Sequence, residues 1–319
     1  MKTVVTRPIP ELGIELLKQA GHEVLVLPHD RPCTREELLA ATASPSPAQG
    51  VLTMLTDKID ADFLQQRPSV KAIANYAVGY NNIDIAACHA RGVCVSNTPD
   101  VLTDATAEVA WTLLMMAARR AGEGERMVRA GKWSGWGPMQ FQGMCVLGQT
   151  IGIIGAGRIG TRVAQMGKGF GMRVLYVHRR ENEAMAQLGA QRVELPELLK
   201  EADFVSIHVP LTAETRHLIG VKELQMMKKT AVLINTARGP VVDEAALVEA
   251  LKNQTIFAAG LDVYEEEPKI HAGLFALENV VMLPHIGSAT VRARNEMSQL
   301  AAENLIAMLR GQRGKTQIA

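Results

Sequence analysis

A glycine-rich segment constrains the fold of this chain more strongly than any other feature. Residues 152–160 read Gly-Ile-Ile-Gly-Ala-Gly-Arg-Ile-Gly. Gly155, Gly157 and Gly160 form the pattern G-x-G-x-x-G. The residues at 150–154 are apolar, as in a buried parallel strand, and the residues after the last glycine continue at helical spacing. A strand, a glycine turn and a helix in this order predict a Rossmann domain that binds a dinucleotide.

Each position of this fingerprint has a physical role. Gly155 permits a tight turn, Gly157 lets the backbone approach a pyrophosphate, and Gly160 packs the helix against the strand. The N–H groups of Arg158 and Ile159 would lie in the first helical turn, where they would hold the phosphate charge. We therefore expect these five residues to bind the pyrophosphate.

The end of the next predicted strand indicates which dinucleotide is bound. Eighteen residues after Gly160, where an NAD enzyme has an acidic residue, the chain has His178, Arg179 and Arg180. A ribose 2′-phosphate carries about two negative charges, which arginines bind and a carboxylate would repel. The sequence therefore favours NADPH, with NADH used more weakly. The alternative is that the two arginines form only a solvated charge pair.

The bulk composition limits the class of partner. A chain of 319 residues is long for one domain, so two domains are expected. A net charge of +1 without a basic block gives no reason to expect nucleic acid. The apolar run before Pro8 is too short for a signal peptide, and no segment approaches a transmembrane length. We therefore expect a cytoplasmic protein with no membrane partner and a small-molecule substrate.

The four cysteines show no spacing typical of metal ligands. Cys33, Cys88, Cys94 and Cys145 are scattered, without a C-x-x-C pair or a histidine at ligand spacing. A chain of this size does not need disulfides to fold. We therefore expect reduced thiols and no metal site.

The part of the chain before the fingerprint predicts a first α/β domain. Short β-rich runs alternate there with helical patterns at 11–20 and 35–41. The segment 44–47, Ser-Pro-Ser-Pro, is predicted to be a loop. This pattern predicts a five-stranded, flavodoxin-like parallel sheet. Its predicted strands are 3–6, 23–27, 51–55, 71–75 and 93–96.

A second doubly wound sheet is predicted around the fingerprint. A long apolar helix at 104–119, with Thr103 or Asp104 as its N-cap, leads to a charged, glycine-containing segment at 120–131. The last helical pattern, 292–309, follows the second sheet, so we expect it to return to the first domain. The strands predicted for the second sheet are 150–154, 173–177, 204–208, 231–235, 257–262 and 280–283.

The predicted domains are therefore discontinuous in the sequence. Residues 1–98 together with 290–319 are predicted to form the substrate domain, and residues 99–289 the NADP-binding domain. The fold class is α/β with two doubly wound parallel sheets, one a Rossmann domain and the other flavodoxin-like.

Three polar residues follow predicted strands of the second sheet, where open α/β sheets bind ligands. They are Arg238, Glu267 and His285. Arginine can hold a carboxylate with two hydrogen bonds, and histidine can give a proton to a carbonyl oxygen near neutral pH. A glutamate on the other ring nitrogen would fix the tautomer and favour the charged imidazole. Taken singly, these residues also fit a loop salt bridge, a solvated acidic turn and a helix cap.

Two tryptophans, Trp133 and Trp136, lie in a glycine- and proline-containing loop. One interpretation is that they anchor the loop against the core, because buried tryptophan most often serves packing. The other interpretation, that Trp136 restricts a substrate pocket, depends on a family resemblance.

Five motifs in order resemble the D-isomer-specific 2-hydroxyacid dehydrogenase family. The resemblance covers nearly the whole chain. It implies that Arg238 binds the substrate carboxylate, that His285 is the acid/base, and that Glu267 supports it. The motifs occupy residues 75–84, 152–160, 235–243, 261–268 and 283–289.

The same resemblance implies further site residues. The backbone of Val78 and Gly79 would help to hold the substrate carboxylate, and Asp262 would contact the nicotinamide carboxamide. Within the family, the chain is most similar to the NADPH-dependent glyoxylate/hydroxypyruvate reductases, which share the sequence at 101–108. Trp136 matches a tryptophan that in such enzymes reaches across a homodimer to the other subunit's active site and restricts the substrate. A homodimer is therefore expected.

The function implied is the reduction of glyoxylate to glycolate and of hydroxypyruvate to D-glycerate by NADPH, bound between the two domains. A broader 2-oxo acid reductase or a 2-ketogluconate reductase would share every motif. An NAD(P)H-sensing transcriptional corepressor would share the fold, but the basic strand end and the lack of an extended tail argue against it. The family's usual aspartate at position 81 is Asn81 here.

Overall fold

The structure is a computed structural model that describes residues 1–43 and 45–319. Ser44, the first residue of the predicted loop at 44–47, lies outside the described residues.

Short parallel strands alternate with helices along the described chain. The strands are β1 (Lys2–Val5), β2 (Glu23–Val26), β3 (Gly50–Thr53), β4 (Ala72–Asn75), β5 (Cys94–Ser96), β6 (Thr150–Ile154), β7 (Arg173–Val177), β8 (Gln191–Arg192), β9 (Phe204–Ile207), β10 (Val232–Asn235), β11 (Ala258–Leu261) and β12 (Val280–Met282). The helices are α1 (Glu11–Gln19), α2 (Arg35–Ala41), α3 (Ala61–Gln66), α4 (Ile85–Ala90), α5 (Thr103–Ala118), α6 (Ala121–Arg129), α7 (Arg158–Gly169), α8 (Glu183–Gln187), α9 (Leu195–Glu201), α10 (Val221–Met226), α11 (Glu244–Lys252) and α12 (Val291–Leu309).

The described chain divides into two compact units. The first unit contains Met1–Leu102 and Ser288–Ala319, and the second contains Thr103–Gly287. The prediction placed the corresponding divisions after residues 98 and 289. Each unit has its own parallel sheet and its own buried core.

The first unit is built on a five-stranded sheet in the order β2-β1-β3-β4-β5, with every pair parallel. This is the flavodoxin-like order. All residues of β3 and β4 are buried, as expected for inner strands of a parallel sheet whose two faces are covered. Those strands therefore appear in the sequence as continuous apolar runs rather than as alternating patterns.

The C-terminal helix α12 completes the first unit by packing against α1 and against strands β3, β4 and β5. A Cβ added at Gly13 of α1 would lie 2.3 Å from the Oγ of Ser298 in α12, so the two helices cross at a distance that only glycine permits. The Ser298 hydroxyl accepts a hydrogen bond from the N–H of Gly13 and donates one to the carbonyl of Pro10. Packing and hydrogen bonds together therefore hold α12 on this unit.

The second unit is built on a seven-stranded parallel sheet in the order β12-β11-β10-β9-β6-β7-β8. Its first strand in the sequence, β6, lies inside the sheet: β7 and β8 extend to one side and β9 to β12 to the other. This is the Rossmann order with one additional strand, and its switch point lies between β6 and β9. The prediction of two doubly wound parallel-sheet domains is confirmed.

The start of α5 differs from the prediction. Neither Thr103 nor Asp104 is an N-cap, because the helix already includes both residues in its first turn. The carboxylate of Asp104 instead pairs with the guanidinium of Arg162, with an Nε–Oδ1 distance of 2.6 Å. The segment that follows also forms a helix, α6, to which the sequence analysis assigned no structure.

Some classes of feature do not occur in the described part of the chain. No helix within residues 1–43 and 45–319 is both long and apolar enough to cross a membrane. Over the same residues, no group of three or more His, Cys, Asp or Glu side chains is arranged to hold a metal ion. The four cysteines are free thiols.

Candidate active site

The fingerprint turn between β6 and α7 needs glycine for two local reasons. Gly155 has a φ of +98°, and a Cβ there would lie 2.8 Å from the carbonyl atoms of His208. A Cβ at Gly160 would lie 2.1 Å from the carbonyl oxygen of Gly155. The first glycine therefore permits the turn, and the last lets the helix pack onto it.

The N-terminus of α7 fits a dinucleotide pyrophosphate. Gly157 is the N-cap residue. No atom lies within 4 Å of the place that a Cβ on Gly157 would occupy, so the space beside it is open. The first turn, which begins with Arg158 and Ile159, contains no acidic side chain. A helix N-terminus carries partial positive charge and free N–H groups, so an approaching phosphate meets attraction and no steric barrier.

The end of β7 carries more positive charge than the sequence motif indicates. His178, Arg179 and Arg180 follow the strand directly, and the two arginine side chains are exposed. Arg192, at the end of β8, donates from Nε to the carbonyl of His178 at 3.0 Å and from a terminal nitrogen to the carbonyl of Arg179. A third arginine therefore borders the pair. Arg192 was not among the predicted site residues, because the pairing of β7 with β8 was not predicted.

The structure brings Arg238, Glu267 and His285 to one edge of the sheet. They follow β10, β11 and β12, which are neighbours in it. The Nδ1 atom of His285 lies 2.7 Å from Oε2 of Glu267. The other carboxylate oxygen, Oε1, accepts a hydrogen bond from the N–H of Tyr264 at 2.9 Å. Glu267 is thereby held in place, and Nε2 of His285 faces away from it.

The charges of these residues influence one another. Burial acts to raise the pKa of Glu267, but the hydrogen bond and charge of His285 and the charge of Arg238 outweigh it, so the pKa lies below its ordinary value. Burial lowers the pKa of Arg238, and the charge of Glu267 opposes that shift. Near neutral pH the site therefore contains a carboxylate that supports the histidine and lies close to a guanidinium.

Asp262 anchors the residues that follow His285. His285 has a φ of +54°, in the left-handed region that most side chains avoid. The two carboxylate oxygens of Asp262 accept hydrogen bonds from the N–H groups of Ile286 and Gly287, both at 2.7 Å. Asp262 is buried, and burial raises its pKa against the opposing effect of these two bonds. Asp262 is therefore part of the support for the histidine loop, and its predicted contact with a carboxamide stays a prediction.

Tyr264 is a supporting residue that the sequence analysis missed. Its hydroxyl donates to the carbonyl of Leu283 at 2.9 Å, two residues before His285. A Cβ at Gly239 would lie 1.9 Å from the carbonyl of Tyr264, so the loop after Arg238 packs directly on this backbone. The only signal in the sequence was the place of Tyr264 inside the motif at 261–268.

Val78 and Gly79 belong to the first unit, whereas the Arg-Glu-His cluster belongs to the second. They lie in the loop after β4 and are partly exposed. Their carbonyl oxygens accept hydrogen bonds from the side-chain amides of Asn97 and Asn75, each at 2.8 Å. Carboxylate binding by Val78, Gly79 and Arg238 remains a prediction, as does the acid/base role of the pair formed by Glu267 and His285.

The two tryptophans do not anchor their loop in the core, so that interpretation was wrong. Trp136 is 83% exposed and Trp133 is 55% exposed. The residues around them, 130–145, are themselves exposed or only partly buried, so no buried core is available there to cover an indole. Both side chains are therefore available for contacts outside this chain.

The Rossmann unit, with an arginine and a paired glutamate and histidine at its strand ends, is the architecture of a dinucleotide-dependent dehydrogenase. The model of the family described as D-isomer specific 2-hydroxyacid dehydrogenase, NAD binding domain, matches residues 111–287. The chain belongs to this family.

Similar proteins cover almost the whole chain. A glyoxylate reductase of Thermococcus kodakarensis is 51% identical over 316 residues, which are 98% of this chain and 94% of that protein. A solved structure from Thermus thermophilus is 41% identical, with a TM-score of 0.94 and complete coverage of both chains. An NADPH-dependent glyoxylate/hydroxypyruvate reductase of Sinorhizobium meliloti, solved with NADP and malonate, is 33% identical with a TM-score of 0.87, covering 100% of this chain and 96% of that one.

Proposed function

We propose that this chain uses NADPH to reduce a small 2-oxo acid to the D-2-hydroxy acid, converting glyoxylate to glycolate and hydroxypyruvate to D-glycerate. The observation that carries the proposal is the hydrogen bond of 2.7 Å between His285 and Glu267, close to Arg238. Two of the similar proteins are named glyoxylate or glyoxylate/hydroxypyruvate reductases, which supports these substrates.

The substrate carboxylate binds to Arg238 and to backbone N–H groups. The planar guanidinium can form two parallel hydrogen bonds to a carboxylate, which fixes the acid in one orientation. The N–H groups at Val78 and Gly79 donate to the same carboxylate in this proposal. The carbonyl at C2 is thereby directed toward His285.

His285 donates a proton from Nε2 to the oxygen on C2. Glu267 binds Nδ1, so it holds the tautomer and stabilises the imidazolium before the proton is given up. Bound NADPH supplies the hydride. Because negative charge develops on the oxygen during the reaction, the contribution of His285 belongs mainly to the transition state.

Replacing Glu267 with glutamine tests the role of its charge. The side chain keeps its shape, but the imidazolium of His285 loses its opposite charge, which makes the protonated form less favourable. We expect kcat for 2-oxo acid reduction to fall by about tenfold, while the Kd for NADPH stays that of the wild type. The measurement is a pH profile of kcat and kcat/KM. Glu265→Gln is the matched control, because that glutamate pairs with His217 instead. An identical profile for Glu267→Gln and wild type would exclude this role.

The basic end of β7 supports a preference for NADPH. Arg179 and Arg180 are the proposed partners of the 2′-phosphate, with His178 beside them. Gly155, Gly157 and Gly160, with the N–H groups of Arg158 and Ile159, are the proposed pyrophosphate site. Asp262 retains free lone pairs on its carboxylate for the nicotinamide carboxamide.

A double variant, Arg179→Gln with Arg180→Gln, tests this preference. We expect the KM for NADPH to rise by about tenfold or more, because two charge-assisted contacts are lost, and the KM for NADH to stay nearly unchanged. Arg173→Gln is the control, since Arg173 lies at the opposite end of β7 and pairs with Glu201. Equal changes for both cofactors would argue against a 2′-phosphate site.

The exposed Trp136 supports a homodimer in which this indole reaches the other subunit's active site and limits the length of the substrate. We expect Trp136→Ala to raise kcat/KM for longer 2-oxo acids relative to glyoxylate, by about tenfold, since removing an indole opens space for several carbons. Trp133→Ala is the control. An unchanged ranking of 2-oxo acids of different length would remove Trp136 from the site. Sedimentation of the wild type measures the dimer itself.

The proposed function is tested by initial rates of nicotinamide oxidation. Glyoxylate, hydroxypyruvate and 2-ketogluconate are each assayed with NADPH and with NADH. Faster turnover of the two smaller acids with NADPH supports the proposal. Preference for the sugar acid would favour a 2-ketogluconate reductase, and no turnover with any pair would favour a sensor of the nicotinamide pool.

A further inference from the structure

Two buried asparagines bind successive carbonyl groups of the loop after β4. The Nδ2 atom of Asn97 donates to the carbonyl oxygen of Val78 at 2.8 Å. The Nδ2 atom of Asn75 donates to the carbonyl oxygen of Gly79, also at 2.8 Å. Each asparagine is buried, and each bond is short, so both carbonyls have a defined direction.

The direction of a carbonyl also sets the direction of the next N–H group. In a trans peptide unit, the C=O and the N–H point to opposite sides. The carbonyl of Val78 shares a peptide unit with the N–H of Gly79, and the carbonyl of Gly79 shares one with the N–H of Tyr80. Both N–H groups therefore point away from the asparagines that bind the carbonyls. Within the described part of the chain, neither N–H donates a hydrogen bond to another residue.

The orientation of the Asn75 amide is itself fixed by a second asparagine. The Nδ2 atom of Asn82 donates its two hydrogens to the carbonyls of Met54 and Asp57, at 3.0 and 3.1 Å, and shares one of them with Oδ1 of Asn75 at 3.2 Å. The Nδ2 atom of Asn75 also lies 3.4 Å from Oδ1 of Asn82. Two carbonyl acceptors identify this atom of Asn82 as the nitrogen. Oδ1 of Asn75 must therefore face Asn82, and its nitrogen must face Gly79.

The backbone at Asn97 is also tied down. Its carbonyl accepts a hydrogen bond from the hydroxyl of Thr316 at 2.5 Å. The next residue, Thr98, donates its N–H to the carbonyl of Ala77 at 2.9 Å. The carbonyls of Ala77 and Val78 are thus both held from the segment that follows β5.

We propose that Asn75 and Asn97 are positioning residues that direct the N–H groups of Gly79 and Tyr80 to bind the carboxylate of the 2-oxo acid. This inference rests on the proposed function and deepens it, because it adds the Tyr80 N–H and names what orients both donors. If either peptide unit turned over, a carbonyl oxygen would face the carboxylate, and attraction would become repulsion.

The test compares Asn97→Ala and Asn97→Asp with the wild type. We expect the KM for glyoxylate to rise by about tenfold or more in both variants, while the KM for NADPH and kcat change by less than about twofold. Asn97→Asp should have the larger effect at neutral pH, since an ionised carboxylate repels the Val78 carbonyl. Its effect should diminish at low pH, where the protonated acid can donate in place of the amide.

A control variant separates the positioning role from a general loss of stability. Ser298→Ala removes another buried hydrogen-bonding group of the same unit and should lower Tm without changing the KM for glyoxylate. Asn97→Leu keeps a side chain of similar size without a donor, and it replaces the other two variants if they do not fold. A KM for glyoxylate within about twofold of the wild-type value in every folded Asn97 variant overturns the proposal.

Failure of this inference can be told apart from failure of the proposed function. Wild-type turnover of glyoxylate decides the proposed function without any variant. If the wild type shows no turnover, calorimetry with oxalate in the presence of NADPH replaces the kinetic assay. Weaker oxalate binding by Asn97→Asp than by the wild type supports the positioning role. Equal binding, or no binding by the wild type, overturns it.

Discussion

Replacing His285 with asparagine lowers kcat for 2-oxo acid reduction by about 10²- to 10⁴-fold, the usual contribution of a general acid. The amide cannot give up a proton to the C2 oxygen, so the loss falls on the transition state. Asparagine is the suitable replacement because His285 has a φ of +54°, and asparagine tolerates the left-handed region better than most side chains. The measurement is kcat under saturating glyoxylate and NADPH.

Binding controls separate this chemical role from a structural one. The hydrogen bonds that the N–H groups of Ile286 and Gly287 donate to Asp262 do not involve the His285 side chain. The backbone that carries residue 285 should therefore keep its shape in the variant. We therefore expect the Kd for NADPH, followed by its fluorescence, to remain that of the wild type. A kcat that changes by less than a few-fold would show that another group supplies the proton.

The second large effect is expected for Arg238→Lys. We predict a loss of kcat/KM of about 3 kcal/mol, or roughly 150-fold, because an ammonium cannot reproduce a bidentate contact with a carboxylate. Burial already lowers the pKa of Arg238, and a lysine in the same place would lose its charge far more readily than a guanidinium. A lysine at position 238 is therefore not expected to restore kcat/KM, although it is also a basic residue.

The control for this variant is Arg216→Lys, an exposed arginine of the same unit that pairs with Glu265. It should leave kcat/KM unchanged, since exposed ion pairs contribute little. The kinetic constants are measured with both glyoxylate and hydroxypyruvate. Full kcat/KM in Arg238→Lys would contradict the assignment of this residue to the substrate carboxylate.

The elements that sequence reasoning predicted best depend on local rules. The turn at Gly155 needs a positive φ, and the contact at Gly160 needs the absence of a Cβ, so the glycine pattern alone located the β6-α7 unit. The buried strands were predicted to within one or two residues, because parallel strands covered on both faces are short apolar runs between turns. The positions of Arg238, Glu267 and His285 after successive strands then indicated one edge of the sheet.

The supporting contacts could not be predicted because they join residues far apart in the sequence. Asn97 binds a carbonyl 19 residues away, and Asp262 binds N–H groups 24 and 25 residues away. No spacing rule relates such partners until the strands that carry them are paired. Arg192 was missed for the same reason, since β8 has only two residues and both are exposed.

Exposure and helix formation in the segment before β6 were also not predictable. The bulk tendency of tryptophan to be buried suggested packing, yet Trp136 is exposed because the surrounding residues build no core of their own. Helix α6, with the sequence Ala-Gly-Glu-Gly-Glu-Arg-Met-Val-Arg, has two glycines and few apolar residues, so its propensity is low. Packing against α5 holds it in place instead, a contact between elements that its own sequence does not indicate.

The face of the carbonyl that is reduced tests the proposed roles of Arg238 and His285 most directly. In the proposed site, Arg238 binds the carboxylate and His285 binds the oxygen, which fixes the plane of the carbonyl, so bound NADPH would reach only one face of C2. The measurement is chiral chromatography of the glycerate formed from hydroxypyruvate and NADPH. D-glycerate as the sole enantiomer is the predicted result, whereas L-glycerate, a racemic mixture or no glycerate would contradict it.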